Sequence, residues 1–511
     1  MPSSDKNRAS SINADVEMVE QVLPSSQVAH TTWKNYAFTF VVCFGSLIYG
    51  YSSNVIAGAL ALPSFTNRLL LPDVDPRTSG LVGIFFAGGA FGAVIQQPLS
   101  DRYGRRFAMA SSGIFQVIGA ALGAGSYHYA MFIISRFFAG IGSAISLTLP
   151  PVFISELAPP QSRGRLVSFH VVFLNLGYLT SALGSLGFSY ISENYQWRLN
   201  FIVNTALSLL LVFLIYTIPE SPRWLVSQDR VDEAAKILKN LHQNDSDPDG
   251  DFAHHELLQI QQQFEEARHL PSGYRHILAT RSHRKRALCT ILVWVTGMST
   301  GVLVISVYST VLFAGLGYDS SGSQFAMSAG WLCCCIIFAG LGGLFVDRVG
   351  RVRMMAMGGL TCAATLAIEC AMQAKYLGTT NKAGNAVGVT AFFLFAAAYN
   401  GFYDAGSFVY TSEIWPNHLR SEGVTIAMVT FYLTNVAWSS PASIALASIG
   451  WRYYIIFICV SVVLSFALLA YLPEVKGLTL EEVGIKFQDE VPTQAVHKCE
   501  VRSEEKGMKE I

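Results

Sequence analysis

The chain has little charge for its length. Of its 511 residues only 14% are Asp, Glu, Lys or Arg, whereas 51% are hydrophobic, and 35 basic residues balance 35 acidic ones. A soluble globular domain has about 25% charged residues, so this composition excludes an ordinary soluble protein. The zero formal net charge gives no reason to expect a nucleic-acid partner.

Patterns typical of metal, cofactor and enzyme sites are also missing. The nine cysteines show no spacing that suggests a disulfide framework or a zinc site. Cys333, Cys334 and Cys335 are consecutive, so on a helix their side chains point in different directions. The chain has no Gly-rich phosphate loop that opens a helix and no paired carboxylates at mid-membrane. We therefore expect neither a cofactor nor an enzyme.

Long apolar runs occupy most of the sequence. Each is long enough to cross about 30 Å of hydrocarbon as a helix. They predict an all-α membrane protein with twelve transmembrane helices, at 34–62, 79–100, 107–126, 129–154, 166–191, 199–217, 286–315, 324–346, 354–374, 388–411, 423–447 and 453–472.

The remaining segments are polar. Residues 1–32 are Ser-rich and lack an apolar core, so we expect a disordered cytoplasmic tail. Two six-helix bundles are predicted at 33–217 and 286–472, and a second cytoplasmic tail at 473–511. The loop 218–285 between the bundles is predicted to contain short amphipathic helices, at 229–241 and 253–268.

Several charged motifs occur twice, about 250 residues apart. Asp101–Arg106 recurs as Asp347–Arg351. Glu156 with Arg163 recurs as Glu413 with Arg420, and Pro219-Glu220 recurs as Pro473-Glu474. Internal duplication of this kind is typical of secondary transporters, and it predicts two bundles related by pseudo-twofold symmetry.

Basic residues concentrate on one side of the predicted membrane. With the N-terminus inside, the inner loops contain Arg102, Arg105, Arg106, Arg163, Arg165, Arg348, Arg351, Arg353, Arg420 and the basic central loop. The positive-inside rule then places both termini in the cytoplasm. We expect a monomer in the lipid bilayer of the plasma membrane.

The motifs together resemble those of the sugar porter family of the major facilitator superfamily, and especially its fungal branch. The resemblance spans about residues 35–485 and rests on Asp101–Arg106, 156–164, Pro219–Leu225, Asp347–Arg351, 413–423 and Pro473–Thr479. It implies two bundles that expose a central site to each side of the membrane in turn. It also implies transport of a sugar or a sugar-like small polar solute.

In such a cycle the charged inner helix ends can act as a latch. Their ion pairs form when the inside is closed and break when it opens. Partly exposed pairs are worth only about 0–1 kcal/mol each, so several together remain reversible. The alternative is that these residues only fix topology. The predicted latch residues are Asp101, Arg102, Arg105, Arg106, Glu156, Arg163, Glu220, Arg223, Asp347, Arg348, Arg351, Glu413, Arg420 and Glu474.

The residues with which the family contacts sugars are not retained. The Gln-Gln-x-x-Gly-x-Asn string of the seventh span is replaced by a segment with Gly297, Met298, Gly301 and Leu303. Val171 replaces the glutamine of the fifth span, and residues 404–408 replace Gly-Pro-x-x-Trp. Each unpaired buried polar group costs about 1–3 kcal/mol, so the changes argue against ordinary glucose transport. Gly297 and Gly301 form a Gly-x-x-x-Gly spacing that allows close helix contact.

Other polar and aromatic residues can take over this role. The predicted substrate-binding residues are Asn175, Ser299, Ser306, Asn400, Asp404, Ser407 and Phe408. Asp404 precedes Glu413 by about 13 Å of helix, which puts a costly carboxyl near mid-membrane and indicates a function. The alternative for Asp404 is a structural carboxyl. Glu369 lies nearer the outer end, where we expect a solvated or capping role.

The sequence leaves proton coupling and the direction of transport open. Proton-linked family members typically have Asp in the first-span Gly-Tyr-Asp string, but this chain has Gly50-Tyr51-Ser52. Either the carrier is a facilitator, or Asp404 binds the proton. One alternative function is export of a secondary metabolite or organic acid, which the apolar residues Val171, Leu303 and Phe408 favour. Another is a non-transporting nutrient sensor, although few residues follow Glu474.

Overall fold

The computed structural model describes residues 32–159, 162–191, 195–242, 251–268, 270–315, 320–376, 382–478 and 480–488. The predicted N-terminal tail and most of the C-terminal tail lie outside these residues. Every regular element in the described part of the chain is helical.

Six long helices form the first half of the chain. They are α1 (Trp33–Leu60), α2 (Val74–Tyr103), α3 (Arg105–Ala124), α4 (Tyr129–Leu157), α5 (Arg163–Phe188) and α6 (Gln196–Leu214). Short helical turns occur at Pro63–Phe65, Thr66–Leu70 and Ile215–Thr217. Helix α1 packs along α5, and α4 packs against α2 and α3. The buried core of this half includes Val42, Ile48, Met109, Ile145, Leu149, Phe153 and Leu211.

Four shorter helices follow, namely α7 (Pro222–Ser227), α8 (Val231–His242), α9 (Asp251–Arg268) and α10 (Tyr274–Ala279). The start of α7 has Pro222 at its first position, and the Ser221 hydroxyl accepts a hydrogen bond from the Trp224 N–H at 3.3 Å, both of which favour helix initiation. Helices α7, α8 and α9 share a small apolar core of Leu225, Val226, Ala234, Leu238, Ala253, Leu257 and Ile260. The loop is therefore a packed helical unit.

The second half has more interruptions. Its helices are α11 (Arg281–Ser299), α12 (Val302–Val307), α13 (Ser309–Gly315), α14 (Ser321–Val349), α15 (Arg351–Tyr376), α16 (Lys382–Ala398), α17 (Ala405–Glu413), α18 (Arg420–Ser439), α19 (Ala442–Ile449), α20 (Tyr453–Tyr471) and α21 (Leu480–Phe487). A π-helical turn, Tyr399–Asp404, joins α16 to α17. Turns of 3-10 helix at Asn417–Leu419 and Gly450–Arg452 precede α18 and α20.

The seventh span predicted at 286–315 is present, but its helix is interrupted. Gly301 has φ of +84°, a left-handed conformation that glycine adopts without the steric cost of a Cβ. It separates α11 from α12, and α13 follows after Tyr308. Hydropathy alone shows one apolar run because it does not register the backbone conformation of a single residue.

Eleven helical segments of the described chain are long and apolar enough to cross a membrane. The last, Asn417–Tyr471, has 55 residues and contains both α18 and α20, which raises the number to the predicted twelve. The chain divides into two compact units. We call Met1–Pro271 with Ser321–Ala329 the N-terminal unit, and Ser272–Ser320 with Gly330–Ile511 the C-terminal unit.

Candidate functional site

Arg105 joins two helices of the N-terminal unit. Its Nε and Nη2 donate to the two carboxylate oxygens of Glu156 at 2.9 and 3.0 Å, and Nη1 donates to Asp101 Oδ1 at 3.2 Å. Such a bidentate pair is strong and directional. The side chains of Arg105 and Glu156 are only 14% and 10% exposed, so the pair is part of the packed structure. We call the end of each unit with these motifs its charged end.

Glu220 caps the N-terminus of α3 at the same end. Its Oε1 accepts hydrogen bonds from the N–H groups of Arg105 and Ser221 at 3.0 and 2.9 Å, and Oε2 accepts one from Arg106 N–H at 3.2 Å. A carboxylate in this position satisfies N–H groups that have no partner within the helix. Burial raises the pKa of the Glu220 carboxyl above its usual range, against the opposite effect of these N–H donors.

The C-terminal unit repeats this arrangement. Arg351 Nε and Nη2 donate to the two carboxylate oxygens of Glu413 at 3.1 and 2.9 Å. Glu474 accepts hydrogen bonds from the N–H groups of Arg351 and Val352, both at 3.0 Å. The sequence duplication is therefore a duplication of one three-dimensional motif.

A glycine with an unusual backbone makes each of these turns. Gly104 and Gly350 have φ of +98° and +101°. A Cβ on Gly104 would lie 2.5 Å from Glu220 Oε2, and one on Gly350 would lie 2.8 Å from Glu474 Oε2. Glycine is thus needed both for the backbone conformation and for the approach of the capping carboxylate.

The other predicted latch residues occupy varied positions. Arg102 is exposed, with its guanidinium 5.5 Å from the Tyr103 ring centre. Arg106 Nη2 donates to the Tyr216 carbonyl oxygen at 2.8 Å, and the Arg348 carbonyl oxygen accepts from Lys476 Nζ at 2.7 Å. Arg163 lies in the electrostatic environment of Arg223, Glu256 and Glu156, but the direct partner of Glu156 is Arg105. Arg420 begins α18, and the Asp347 side chain lies outside the described residues.

Several predicted substrate-binding residues use their donors for bonds within the protein. Asn175 Nδ2 donates to the Val171 carbonyl oxygen at 3.0 Å, Asn400 Nδ2 to that of Ala396 at 2.9 Å, and the Ser407 hydroxyl to that of Asp404 at 2.8 Å. Ser299 Oγ accepts a bond from Trp438 Nε1 at 3.0 Å and so links α11 to α18. Ser306 is buried in α12.

Asp404 differs from these residues. It ends the π-helical turn, and its side chain is half-buried. Its carboxylate forms no hydrogen bond or ion pair with any residue that the structure describes. Such turns insert one residue into a helix and occur often at functional sites. Asp404 is therefore well suited, among the predicted residues, to bind a ligand or a proton.

An aromatic cluster around Trp294 was not predicted. Its ring lies 4.9 Å from that of Phe408 and 5.7 Å from that of Phe431, and its Nε1 donates to Thr411 Oγ1 at 3.1 Å. Phe408 is thus placed by α11 as well as by its own helix. The sequence showed Trp294 inside an apolar run, but not which helices would surround it.

Gly297 accommodates a side chain from another helix. A Cβ there would lie 2.6 Å from Cε1 of Tyr403, and the Tyr403 hydroxyl donates to the Val293 carbonyl oxygen at 2.7 Å. The Gly-x-x-x-Gly spacing therefore does not bring two helix backbones together. Gly297 makes room for an aromatic ring, and Gly301 breaks the helix.

Glu369 corrects another expectation. Its side chain is fully buried in α15, so the predicted solvated role is wrong. Gln373 Nε2 donates to its Oε1 at 2.8 Å, whereas its Oε2 has no partner among the described residues. Neighbouring helices bury Glu369, and its position along the span could not predict how those helices pack.

Arg136 of α4 was also missed. It is 1% exposed, and its guanidinium lies 4.2 Å from the ring centre of Phe85. Nη1 donates to the Ser52 carbonyl oxygen at 3.3 Å, and Nε has no partner among the described residues. A buried ion costs several kcal/mol, and these contacts provide no opposite charge. An arginine inside the apolar run 129–154 should have indicated a special position.

Known proteins are similar to this chain over most of its length. The family model described as "Sugar (and other) transporter" matches residues 38–487. The MFS-type transporter criB of Aspergillus cristatus is 29% identical over 90% of this chain and 94% of its own length. The low-affinity glucose transporter HXT3 of Saccharomyces cerevisiae is 28% identical, over 88% of this chain and 82% of its own.

A similar solved structure is that of the proton:xylose symporter XylE from E. coli. It has a TM-score of 0.75 and 23% identity, and the match covers 90% of this chain and 100% of that one. At this identity the likeness shows the fold, which is that of the major facilitator superfamily. The predicted fold class is confirmed.

Proposed function

This chain belongs to the Sugar (and other) transporter family, and from that premise we propose that it moves a sugar or sugar-like polar solute across a membrane by alternating access. The main structural support is the duplicated motif of an Arg–Glu pair and a capping glutamate. Many carriers that open to each side of the membrane in turn are built from two related halves.

We infer that the protein lies in the plasma membrane, with both termini and the charged end of each unit on its cytoplasmic side. The ion pairs at each charged end would then act in gating. The Arg105–Glu156 pair is mostly buried, whereas Glu413 of the Arg351–Glu413 pair is 33% exposed. Water competes more for the second pair, because exposed ion pairs contribute only about 0–1 kcal/mol. The C-terminal pair is therefore the one that exchanges partners more readily during the cycle.

The solute-binding residues of the C-terminal unit centre on Asp404. Asn400 and Ser407 share its helical segment, Phe408 packs on Trp294, and Ser299 is held by Trp438. The Asn400 amide and the Ser407 hydroxyl each donate a hydrogen bond within the protein. We therefore expect a solute whose recognition does not depend on both of these donors.

Uptake by proteoliposomes tests the function. The purified full-length protein is reconstituted and supplied with labelled sugars, polyols and sugar acids, with protein-free liposomes as the control. Saturable uptake of at least one polar solute is expected. If no polar solute enters but apolar metabolites leave inside-loaded vesicles, the chain is an exporter instead.

A further inference from the structure

Arg136 is a buried cation with no acid beside it. Acidic residues within α1–α6 are confined to helix ends, at Asp75, Asp101 and Glu156. Arg105 binds Asp101 and Glu156, and Asp75 lies about 15 Å along α2 from Phe85, the residue on which Arg136 stacks. The groups that face Arg136 are a carbonyl oxygen and an aromatic ring. Its positive charge therefore has no counter-charge among the described residues.

One edge of the guanidinium has no hydrogen-bond partner among the described residues. Nη1 is used by the Ser52 carbonyl oxygen, while Nε is buried without a partner and no described residue bonds Nη2. The Nε–Nη2 edge presents two parallel N–H groups, which fit the two oxygens of a carboxylate.

Helix α1, whose Ser52 carbonyl oxygen contacts Arg136, also has hydroxyl groups without a hydrogen-bond partner. The Ser52 and Ser53 hydroxyls have no partner in the part of the chain that the structure describes. A hydroxyl can donate a hydrogen bond to an anion. Ser52 is fully buried and Ser53 only partly so, although the hydroxyl oxygens of both are buried.

We propose that Arg136, with Ser52 beside it, forms a binding site for a carboxylate, and that this carboxylate belongs to the transported solute. This inference rests on the proposed transport function and narrows its substrate class to acidic sugar derivatives or related organic acids. The carboxylate supplies the missing counter-charge and occupies the Nε–Nη2 edge. Chloride has the same charge, so the experiment separates the two sources.

The test measures thermal unfolding and uptake with the full-length protein. The probes are glucuronate, glucose and chloride, each as the sodium salt or neutral sugar at equal osmolarity. Glucuronate is expected to raise the melting temperature and to be taken up, and glucose to do so much less. Arg136→Gln removes the response to glucuronate. Arg136→Lys retains the charge but loses the paired N–H geometry, and it weakens apparent binding by about tenfold.

Arg286→Gln is the matched control. Arg286 is also 1% exposed, but it lies in the C-terminal unit, where Ser282 and His283 contact it. This variant should keep the glucuronate response. If Arg136→Gln does not fold, Ser52→Ala tests the same pocket with the charge intact and should weaken glucuronate binding several-fold.

Each other outcome decides against part or all of the proposal. A response to chloride as large as that to glucuronate, without uptake of acids, would show an inorganic counter-ion and overturn the substrate assignment. An unchanged glucuronate response in Arg136→Gln and Ser52→Ala would overturn the site. Equal transport of neutral sugars by wild type and Arg136→Gln, with no effect of anions, would overturn the inference while leaving the transport function intact.

Discussion

Replacing Gly104 by alanine adds a single carbon atom, the Cβ, to one of the two duplicated turns. Gly104 has φ of 98° and ψ of 166°, a region that is almost restricted to glycine. The new Cβ would lie 2.5 Å from Glu220 Oε2 and 3.0 Å from its Cδ. Either the backbone or the capping carboxylate must therefore move.

The cost follows from these two effects. Holding a non-glycine residue in this backbone region costs about 1–3 kcal/mol. Moving Glu220 away from the N–H groups of Arg105 and Arg106 loses charge-assisted hydrogen bonds worth about 1.5–3 kcal/mol. The sum is about 2.5–6 kcal/mol. At roughly 2–4 °C per kcal/mol for a unit of this size, the melting temperature should fall by at least about 5 °C.

Thermal unfolding of the detergent-purified protein measures this loss, and Gly164→Ala is the matched control at the same charged end. No atom lies within 4 Å of a Cβ at Gly164, so that variant should be neutral or slightly more stable. Gly350→Ala should resemble Gly104→Ala, because its Cβ would meet Glu474 Oε2 at 2.8 Å. Equal melting temperatures for Gly104→Ala and Gly164→Ala would refute the structural role of the turn.

Four further predictions concern single residues. Burial raises the pKa of the Glu220 carboxyl in the folded protein, so the stability that this carboxyl contributes declines as pH rises above the ordinary glutamate pKa. Glu220→Gln should remove that decline when the melting temperature is measured from about pH 4.5 upward. Gly301→Ala should lower the free energy of unfolding by about 1–3 kcal/mol because position 301 has a φ of +84°, and the new Cβ would also lie 2.9 Å from the Phe457 ring. Both stability and uptake should therefore fall. Unchanged stability and uptake would show that the helix break is dispensable. Arg351→Lys keeps the charge but loses the bidentate bond to Glu413, so it should slow uptake more than Arg102→Lys at an exposed position; the reverse order would argue against the gate. If a pH gradient stimulates uptake by the wild type, Asp404→Asn should abolish that stimulation. If it does not, Asp404→Asn should change only the KM. Unchanged transport with unchanged pH dependence would exclude Asp404 from the mechanism.

Much of the fold could be predicted from patterns that span many residues. Helical crossings follow from long apolar runs, and the two halves follow from motifs repeated at a constant offset. The capping glutamates were identified as members of these motifs, but their hydrogen bonds to the N–H groups of Arg105 and Arg351 were not. Those bonds depend on how the chain after α6 and after α20 returns to the turns.

The site was harder to predict because its properties depend on single backbone angles and on several helices at once. The break at Gly301 and the π-helical turn before Asp404 do not change hydropathy. The isolation of Arg136 requires knowledge of every residue on α1, α2 and α4 that faces it. Glu369 was expected to have a solvated or capping role because its position along the span was known, but not its neighbours.

Uptake by proteoliposomes across a panel of neutral sugars, polyols and sugar acids, with and without a pH gradient, tests transport most directly. Saturable uptake of a sugar-like polar solute that is lost in Arg105→Ala with Arg351→Ala is the expected result. Vesicles that contain folded, monodisperse protein yet take up none of these solutes faster than protein-free liposomes would contradict the proposed function.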